Sequence, residues 1–230
     1  MADVHLGPST WQQPVPEPAS PGRTALLTDL AARIHALRPG RLKVAVDGLS
    51  AAGKTSFGHE LAHHLTRHGR DVHRAALDDF KQPWRDRHLY DRFTGEGYYR
   101  NAYDLAAVRE LLLGPFTRGE PVALTSIDPL TQVDHRAVTT TTTDTAVLLL
   151  DGMFAFRPEL DDHWDFRIWL EVTPETSLER ARRRDGDDEL HRHRYLPAAR
   201  LYLAEVDPVR RADVIIDNTA YERPELGSRP

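Results

Sequence analysis

The sequence predicts a three-layer α/β fold, in which a mostly parallel sheet carries helices on both faces. Short apolar runs alternate with longer segments of helical periodicity along most of the chain. Residues 146–150 are entirely apolar, as expected of a strand buried on both faces of a parallel sheet. A glycine-rich loop joins one apolar run to a following helix, and this alternation of strand and helix favours an α/β architecture.

Each predicted element follows from its own residues. Short apolar runs predict strands at residues 42–46, 72–77, 122–127, 146–150, 166–172 and 214–217. The threonine-rich segment 139–143 is predicted to be an edge strand or a hairpin arm. Apolar residues at helical spacing, together with capping and stop residues, predict helices at 26–37, 55–68, 104–113 and 197–205 and another that begins at Pro174. Gly114 and Pro115 are expected to end the third of these helices.

Residues 48–55 read Gly-Leu-Ser-Ala-Ala-Gly-Lys-Thr, a complete G-x-x-x-x-G-K-[ST] loop between a predicted strand and a predicted helix. Its glycines let successive backbone N–H groups face one concavity, and the helix N-terminus adds its positive end, so the loop can hold a phosphate. Lys54 would reach the β- and γ-phosphates of ATP, and the Thr55 hydroxyl would ligate Mg²⁺. The predicted phosphate-binding residues are Gly48, Ser50, Ala51, Ala52, Gly53, Lys54, Thr55 and Ser56. The alternative, a turn that matches by chance, is disfavoured by the elements on either side.

Acidic residues follow two of the predicted strands. Asp78 and Asp79 come directly after 72–77, and Asp151 comes directly after 146–150. In open α/β sheets the working residues lie at the carboxyl ends of strands, although acids there also form ordinary turns. An acid after a buried strand is the usual partner of a phosphate loop in holding Mg²⁺, which points to Asp151.

Two further segments could complete a site. The helix after Pro174 carries Arg180, Arg182, Arg183 and Arg184, which could form a lid that stabilises a transferring phosphoryl group or could be a solvated charged face. Residues 81–103 are rich in aromatic side chains, Tyr98, Tyr99 and Tyr103 among them. They could line an acceptor pocket or form a small cluster under a long loop.

Composition limits the partners and the domain organisation. The 230 residues carry a net charge of −5, which argues against a nucleic-acid or membrane-surface partner. The chain has no cysteine and no apolar run near the ~18 residues of a membrane span, so we expect a cytoplasmic protein without a signal peptide. A homo-oligomer is one compatible assembly. The predicted organisation is a disordered proline-rich tail at 1–22, a domain at 23–220 with an arginine-rich lid at about 178–196, and a tail at 221–230.

Taken together, these motifs resemble the uridine kinase–phosphoribulokinase group of P-loop kinases over about residues 42–218. The resemblance implies a P-loop NTPase fold, and it implies that Asp78 is the catalytic base beside the metal. It also implies that Asp151 helps to hold Mg²⁺. Arg180 and Arg184 match lid arginines of that group, and Arg192 and Arg194 keep its R-x-R spacing.

The half of the site that would bind the acceptor departs from this group. Residues 97–104 have no acid at the position that grips the ribose in uridine-cytidine kinases. Residues 126–129 replace the I-Y-D-F element, so its base-stacking tyrosine is missing. The candidate acceptor residues are Asp79, Phe80, Tyr98, Tyr99, Tyr103, Asp128, His135, Arg192 and Arg194.

The sequence therefore predicts an ATP- and Mg²⁺-dependent kinase that phosphorylates a hydroxyl of a small molecule, with uridine or cytidine as the first acceptor to test. The same chemistry on pantothenate, a sugar or a nucleoside analogue is the nearest alternative. A nucleotide-binding protein without turnover is another. A regulatory GTPase would need an N-K-x-D element, and none of the three lysines follows an asparagine.

Overall fold

The structure, a computed structural model, describes residues 3–11, 19–86, 91, 93–186 and 189–228. Within them a seven-stranded sheet has the order β1-β3-β4-β2-β5-β6-β7. The strands are β1 His5–Leu6, β2 Leu42–Gly48, β3 Val72–Ala76, β4 Val147–Asp151, β5 Phe166–Glu171, β6 Val214–Asp217 and β7 Glu225–Leu226. Every pairing is parallel except that of β6 with β7.

Helices connect the strands. The α-helices are α1 Pro21–Leu37, α2 Lys54–Thr66, α3 Gly95–Asn101, α4 Leu105–Ala107, α5 Gly114–Arg118, α6 Pro158–Asp161, α7 Pro174–Asp185, α8 Leu196–Val206 and α9 Pro208–Arg211. Shorter 3₁₀ segments lie at Leu77–Phe80 and Trp84–Asp86, and π-helical segments lie at Val108–Leu113 and His191–Tyr195. None of the helices in the described part of the chain combines the length and the apolar character that crossing a bilayer requires.

Alternate residues of β4 build the two sides of the core. Val147 and Leu149 belong to the cluster that packs against α1 and α2. Leu148 and Leu150 belong to the opposite cluster, with side chains from α3 and α8. All four are fully buried, because successive side chains of a strand point to opposite faces and both faces are covered. The predicted three-layer α/β fold with a mostly parallel sheet is confirmed.

The segment predicted as a strand at 122–127 does not join the sheet. Isolated bridges pair Val122 with Thr140 and Ile127 with Asp134. The Ser126 and Ile127 N–H groups both donate to the Asp79 carbonyl, at 2.9 and 3.1 Å. The backbone of this segment therefore bonds to the turn after β3 and not to a neighbouring strand. Segment 139–143 likewise contributes only its bridge at Thr140.

The helix predicted to end at Gly114 and Pro115 continues through them to Arg118. The Gly114 N–H bonds to the Arg109 carbonyl, five residues back, in the π-helical segment. Pro115 then lies in the first turn of α5, where a missing N–H costs little. Gly119, with φ of 75°, ends the helix in the left-handed conformation.

The N-terminal 22 residues differ from the predicted disordered tail wherever the structure describes them. β1 pairs in parallel with β3, in the register His5 with His73 and Leu6 with Arg74. The backbone N–H and the hydroxyl of Thr10 both donate to Asp128 Oδ2 at 2.6 Å. The high proline content predicted disorder because these tertiary contacts leave no local pattern in the sequence. Residues 12–18 lie outside the described part of the chain. At the other end, β7 adds to the sheet within the predicted C-terminal tail.

Candidate active site

The glycine-rich loop leads from the end of β2 into α2. Gly53 has φ of 88°, and a Cβ added to it would lie 2.8 Å from the Asn218 side-chain nitrogen. A residue other than glycine would be strained there both by conformation and by contact. The Asn218 amide donates to the Ala52 carbonyl at 2.8 Å and so holds the loop from the β6 side. The loop thus has the strand–loop–helix context that the phosphate-binding motif requires.

Asp47 stabilises the start of the loop through buried hydrogen bonds. Its fully buried carboxylate accepts from the N–H groups of Gly48 at 2.6 Å, Phe154 at 3.2 Å and Phe156 at 3.1 Å. The Tyr202 hydroxyl donates to the same carboxylate. Burial raises the pKa of Asp47 to about 6, against the opposing effect of these hydrogen bonds and of Lys54. The carboxylate therefore joins the start of the loop, the segment after β4 and helix α8.

Lys54 lies across the loop. Its Nζ donates to the carbonyls of Gly48 at 2.9 Å and Leu49 at 2.8 Å. Burial lowers the pKa of this lysine, while the carboxylates of Asp47, Asp78 and Asp151 oppose that shift. Within the described part of the chain Lys54 forms no ion pair, although three carboxylates lie near it, so its ammonium group is available to an anionic ligand.

Two oxygen ligands of the kind that Mg²⁺ prefers meet beside the loop. Thr55 Oγ1 lies 3.0 Å from Asp151 Oδ2, close to the roughly 3 Å between adjacent ligands of an octahedral Mg²⁺. Arg74 forms a buried ion pair with the other oxygen of Asp151. The donor set therefore fits Mg²⁺ at Thr55, with Asp151 positioned by Arg74 to contact the ion or one of its waters.

The neighbouring acids Asp78 and Asp79 have different surroundings. The strand ends at Ala76, and both acids lie in the 3₁₀ turn Leu77–Phe80. Asp78 lies in the cleft, with Lys81 Nζ at 2.8 Å and the Tyr103 hydroxyl at 3.3 Å. Burial would raise the pKa of Asp78, but Lys81, Lys54 and Tyr103 outweigh it and the pKa lies below its ordinary value.

Asp79 is turned away from the main cleft. It lines a small cavity beside the N-terminal segment, and its Oδ1 is buried without a hydrogen-bond partner in the described structure. Burial and the charges of Asp78 and Asp151 raise its pKa to about 7, although Ser9 and Arg74 counteract them. Of the two acids, Asp78 is thus the one whose pKa is lowered and that lines the main cleft.

The cleft above the loop has a volume of about 390 Å³. It brings together a large part of the predicted site, namely Ser50, Ala51, Gly53, Lys54, Thr55, Ser56, Asp78, Tyr98, Tyr103, Arg180 and Arg184. Residues that sequence reasoning did not single out also line it, namely Trp11, Lys81, Met153, Asp185 and Tyr195. Gly48 contributes its carbonyl to Lys54, and Ala52 is buried beneath the loop.

Four of the arginines in the predicted lid form two groups. Arg180 and Arg184 of α7 line the cleft, Arg180 donating to the carbonyls of Asn218 and Thr219 and Arg184 to the Asp185 carboxylate. Arg192 and Arg194 lie on the π-helical segment beyond α7, with the Arg194 guanidinium 4.5 Å from the centre of the Tyr98 ring. Arg194 therefore packs against Tyr98, which in turn lines the cleft. Residues 187 and 188 of the predicted lid lie outside the described part of the chain.

Besides Asp79, Arg192 and Arg194, four further candidate acceptor residues lie away from the main cleft. Phe80 is fully buried in the core, and the Tyr99 ring packs edge-on against Phe154. The Asp128 carboxylate accepts hydrogen bonds from Thr10 and from the N–H groups of the turn that follows Asp128. These hydrogen bonds keep the pKa of Asp128 well below its usual range, although burial acts in the opposite direction. The His135 N–H donates to the Ser126 carbonyl, in a loop beside a second cavity of about 380 Å³. Any part these residues play in acceptor binding stays a prediction.

Some of the additional site residues could have been found from the sequence and others could not. Asp47 directly precedes the loop motif, and Lys81 is one of only three lysines in a chain whose other basic residues are arginines and histidines. Trp11 and Tyr195 carry no local pattern that marks them. The tertiary fold brings these two residues to the cleft from distant parts of the sequence.

No protein-family model matches the chain, and no curated protein matches it. Solved structures do match. A structure described as a possible uridine kinase from Bacillus stearothermophilus is 23% identical, with a TM-score of 0.66 over 84% of this chain and 96% of that one. This chain has the fold of uridine kinase-like P-loop kinases.

Two further structures share this P-loop kinase fold. A putative fructose transport system kinase from Silicibacter is 22% identical, with a TM-score of 0.61 over 79% of this chain and 94% of that one. A D-glycerate 3-kinase from Cryptococcus neoformans is 11% identical, with a TM-score of 0.55 over 89% of this chain and 97% of that one. These likenesses confirm the predicted fold, and at this level of identity they concern the fold alone.

The hydrogen bond from Tyr202 to Asp47 generates a stability prediction. Tyr202→Phe keeps the ring in the core and removes one donor from a buried carboxylate, so we expect a loss of about 1–3 kcal/mol in the free energy of unfolding, measured by denaturant titration. Tyr221→Phe is the control, because Tyr221 is only half-buried and its ring over Arg23 is retained. Equal stability of the two variants would contradict the role given to Asp47.

Proposed function

We propose that the chain is an ATP- and Mg²⁺-dependent kinase that transfers the γ-phosphate to a hydroxyl of a small molecule, with a nucleoside such as uridine or cytidine as the acceptor. One observation carries the proposal: the ionised Asp78 carboxylate and the Lys54 ammonium face the same cleft above an intact phosphate loop. Phosphoryl transfer needs a cationic cradle for the phosphates and a carboxylate that orients the attacking hydroxyl, and both are present here.

The loop and Lys54 would bind the nucleotide. Backbone N–H groups at residues 50–55 would donate to the phosphate oxygens, and Lys54 would leave the carbonyls of Gly48 and Leu49 for the β- and γ-phosphates. Thr55 and Asp151 would hold Mg²⁺, which when bound would neutralise phosphate charge. The Arg74 ion pair would keep Asp151 in place.

Asp78 would position the acceptor. Its pKa below the ordinary value keeps it ionised, so it can accept a hydrogen bond from the acceptor hydroxyl and then take the proton. The Tyr98 hydroxyl lies 2.8 Å from that of Tyr103, which donates to Asp78. This chain of hydroxyls would fix the carboxylate, so that its main work is to hold the hydroxyl in line with the γ-phosphate.

Arg180 and Arg184 would act on the transferring group. Both project from α7 into the cleft. Their charge would stabilise negative charge that develops on the phosphoryl oxygens. Arg184 forms an ion pair with Asp185, and both residues line the cleft. Arg184 could therefore exchange the Asp185 carboxylate for a phosphate bound in the same cleft.

The acceptor could also be a sugar, pantothenate or a nucleoside analogue, since the structures of similar fold include proteins described as a fructose transport system kinase and a glycerate kinase. A nucleotide-binding protein without turnover is the alternative from another class. We further propose that the chain works in the cytoplasm on small molecules, without nucleic-acid or membrane partners, and that it could self-associate.

The direct test is ADP release from Mg·ATP with a panel of nucleosides, sugars, pantothenate and glycerate. Acceptor-dependent release supports a kinase and identifies the acceptor class. Nucleotide binding by calorimetry without release for any acceptor would support the alternative of a binding protein.

Asp78 and Asp79 form a matched pair for testing the base. Asp78→Asn keeps the shape and loses the basicity, so we expect turnover to fall by roughly 10²–10⁴-fold. Affinity for Mg·ATP should fall only slightly, because Lys54, Thr55 and Asp151 remain. Asp79→Asn should cost much less, because Asp79 lies outside the main cleft. Turnover by ADP release and affinity by calorimetry measure the two effects.

The assignment fails if Asp79→Asn is the inactive variant. It also fails if Asp78→Asn loses nucleotide affinity as severely as it loses turnover.

A further inference from the structure

The described N-terminal residues 3–11, called here the N-terminal strap, are fastened across the sheet edge next to the cleft. β1 pairs with β3, and Thr10 is held by two hydrogen bonds to Asp128. Gly7 lies so close to the loop after α5 that an added Cβ would be 2.1 Å from Thr125 Oγ1. These contacts tie the strap to three separate parts of the chain, so its last described residue is held in place.

That last residue, Trp11, lies at the cleft. Trp11 lines both the main cleft and the small cavity between the strap, Thr55 and Asp78. It is 36% exposed, unlike the tryptophans of the core, Trp164 at 5% and Trp169 at 2%. Trp11 therefore presents part of an aromatic surface on the side of the cleft where Asp78 lies.

We infer that Trp11 is a specificity-determining residue of the acceptor site and that it selects an acceptor with a ring, such as a nucleoside or a cyclic sugar, over a short open-chain hydroxy acid. This inference rests on the proposed function. The loop would hold the phosphates of the nucleotide, so the acceptor hydroxyl must lie beside Asp78, and Trp11, Tyr98, Tyr103 and Tyr195 supply aromatic surface in the same cleft. Aromatic side chains stabilise a ring by stacking, and an open-chain acid offers little area for such contact.

The test compares Trp11→Ala with the wild-type full chain on the acceptor found by ADP release. We expect the KM for a ring-bearing acceptor to rise about 10-fold, equivalent to ~1.4 kcal/mol, with the KM for Mg·ATP almost unchanged. Trp11→Phe should recover most of the loss. Trp84→Ala is the control, since Trp84 is exposed and lines the second cavity.

The outcomes separate the two proposals. Absence of turnover by the wild type with every acceptor overturns the proposed function. Turnover by the wild type with an unchanged acceptor KM in Trp11→Ala, or a preference for glycerate over every ring-bearing acceptor, overturns the role of Trp11 alone.

A second, independent observation lies at the other end of the strap. His5 Nε2 is 3.1 Å from Asp71 Oδ1, and His73 Nε2 is 3.1 Å from Asp71 Oδ2. The two imidazoles stack with ring centres 4.4 Å apart. One ligand atom from each of these residues lies within 4.8 Å of the others, and no other such group of three occurs in the described part of the chain.

We propose that His5, Asp71 and His73 bind a divalent transition metal ion such as Zn²⁺. The distances of 3.1 Å approach the roughly 3.3 Å between neighbouring ligands of a tetrahedral Zn²⁺. The Thr143 N–H donates to Asp71 Oδ2 at 3.0 Å and would hold the carboxylate in place behind the ion. His73 is buried and His5 is half-exposed, so a water could complete the coordination from the solvent side.

Equilibrium dialysis of the metal-stripped full chain against Zn²⁺, with excess Mg·ADP to occupy the phosphate loop, tests this site. We expect one Zn²⁺ per chain, with affinity at least about 10-fold weaker in His5→Ala and Asp71→Asn, in the range seen when parts of a metal site are removed. His35→Ala is the matched control, because His35 stacks on His68 at 5.1 Å outside this cluster. Affinity that is unchanged in His5→Ala, or absent from the wild type, overturns the proposal.

Discussion

The buried carboxylate of Asp47 is the interaction on which the geometry of the site depends. It accepts from Gly48 at the start of the phosphate loop, from the segment after β4 and from Tyr202 of α8. A buried ionisable group is costly unless its hydrogen bonds are satisfied, and here four donors satisfy it. One side chain thereby sets the position of the loop relative to the segment after β4 and to helix α8.

Three cationic and three acidic side chains lie close together beside the loop. Lys54, Lys81 and Arg74 lie among Asp78, Asp79 and Asp151, and each acid has a different environment. Lys81 and Lys54 keep the pKa of Asp78 low, whereas burial raises that of Asp79 to about 7. Neighbouring carboxylates with separated pKa values can take different roles, and for this reason we propose that Asp78 alone, and not the pair, acts on the acceptor.

The fold and the loop between β2 and α2 could be predicted because their determinants are local, whereas phosphate binding by that loop stays a prediction. The spacing of Gly48, Gly53 and Lys54 requires a strand before it and a helix after it, and the run that ends at Asp151 reads as a buried strand by itself. The N-terminal strap and the position of Trp11 could not be predicted from the sequence. The five prolines among residues 1–22 indicated disorder, whereas the strap is held by Asp128, which lies more than a hundred residues away along the chain. Segment 122–127 was wrongly predicted as a strand for a similar reason, since its N–H groups bond to the Asp79 carbonyl.

The central claim is that Lys54 and the loop bind a nucleotide whose γ-phosphate is transferred within the cleft. Turnover of Lys54→Ala, measured as ADP release with the best acceptor, tests it most directly. The account predicts a loss of about 10²–10³-fold or more, as for other preorganised electrostatic groups, in a protein whose melting temperature shows that it is folded. Near-normal turnover in a folded Lys54→Ala protein would contradict it.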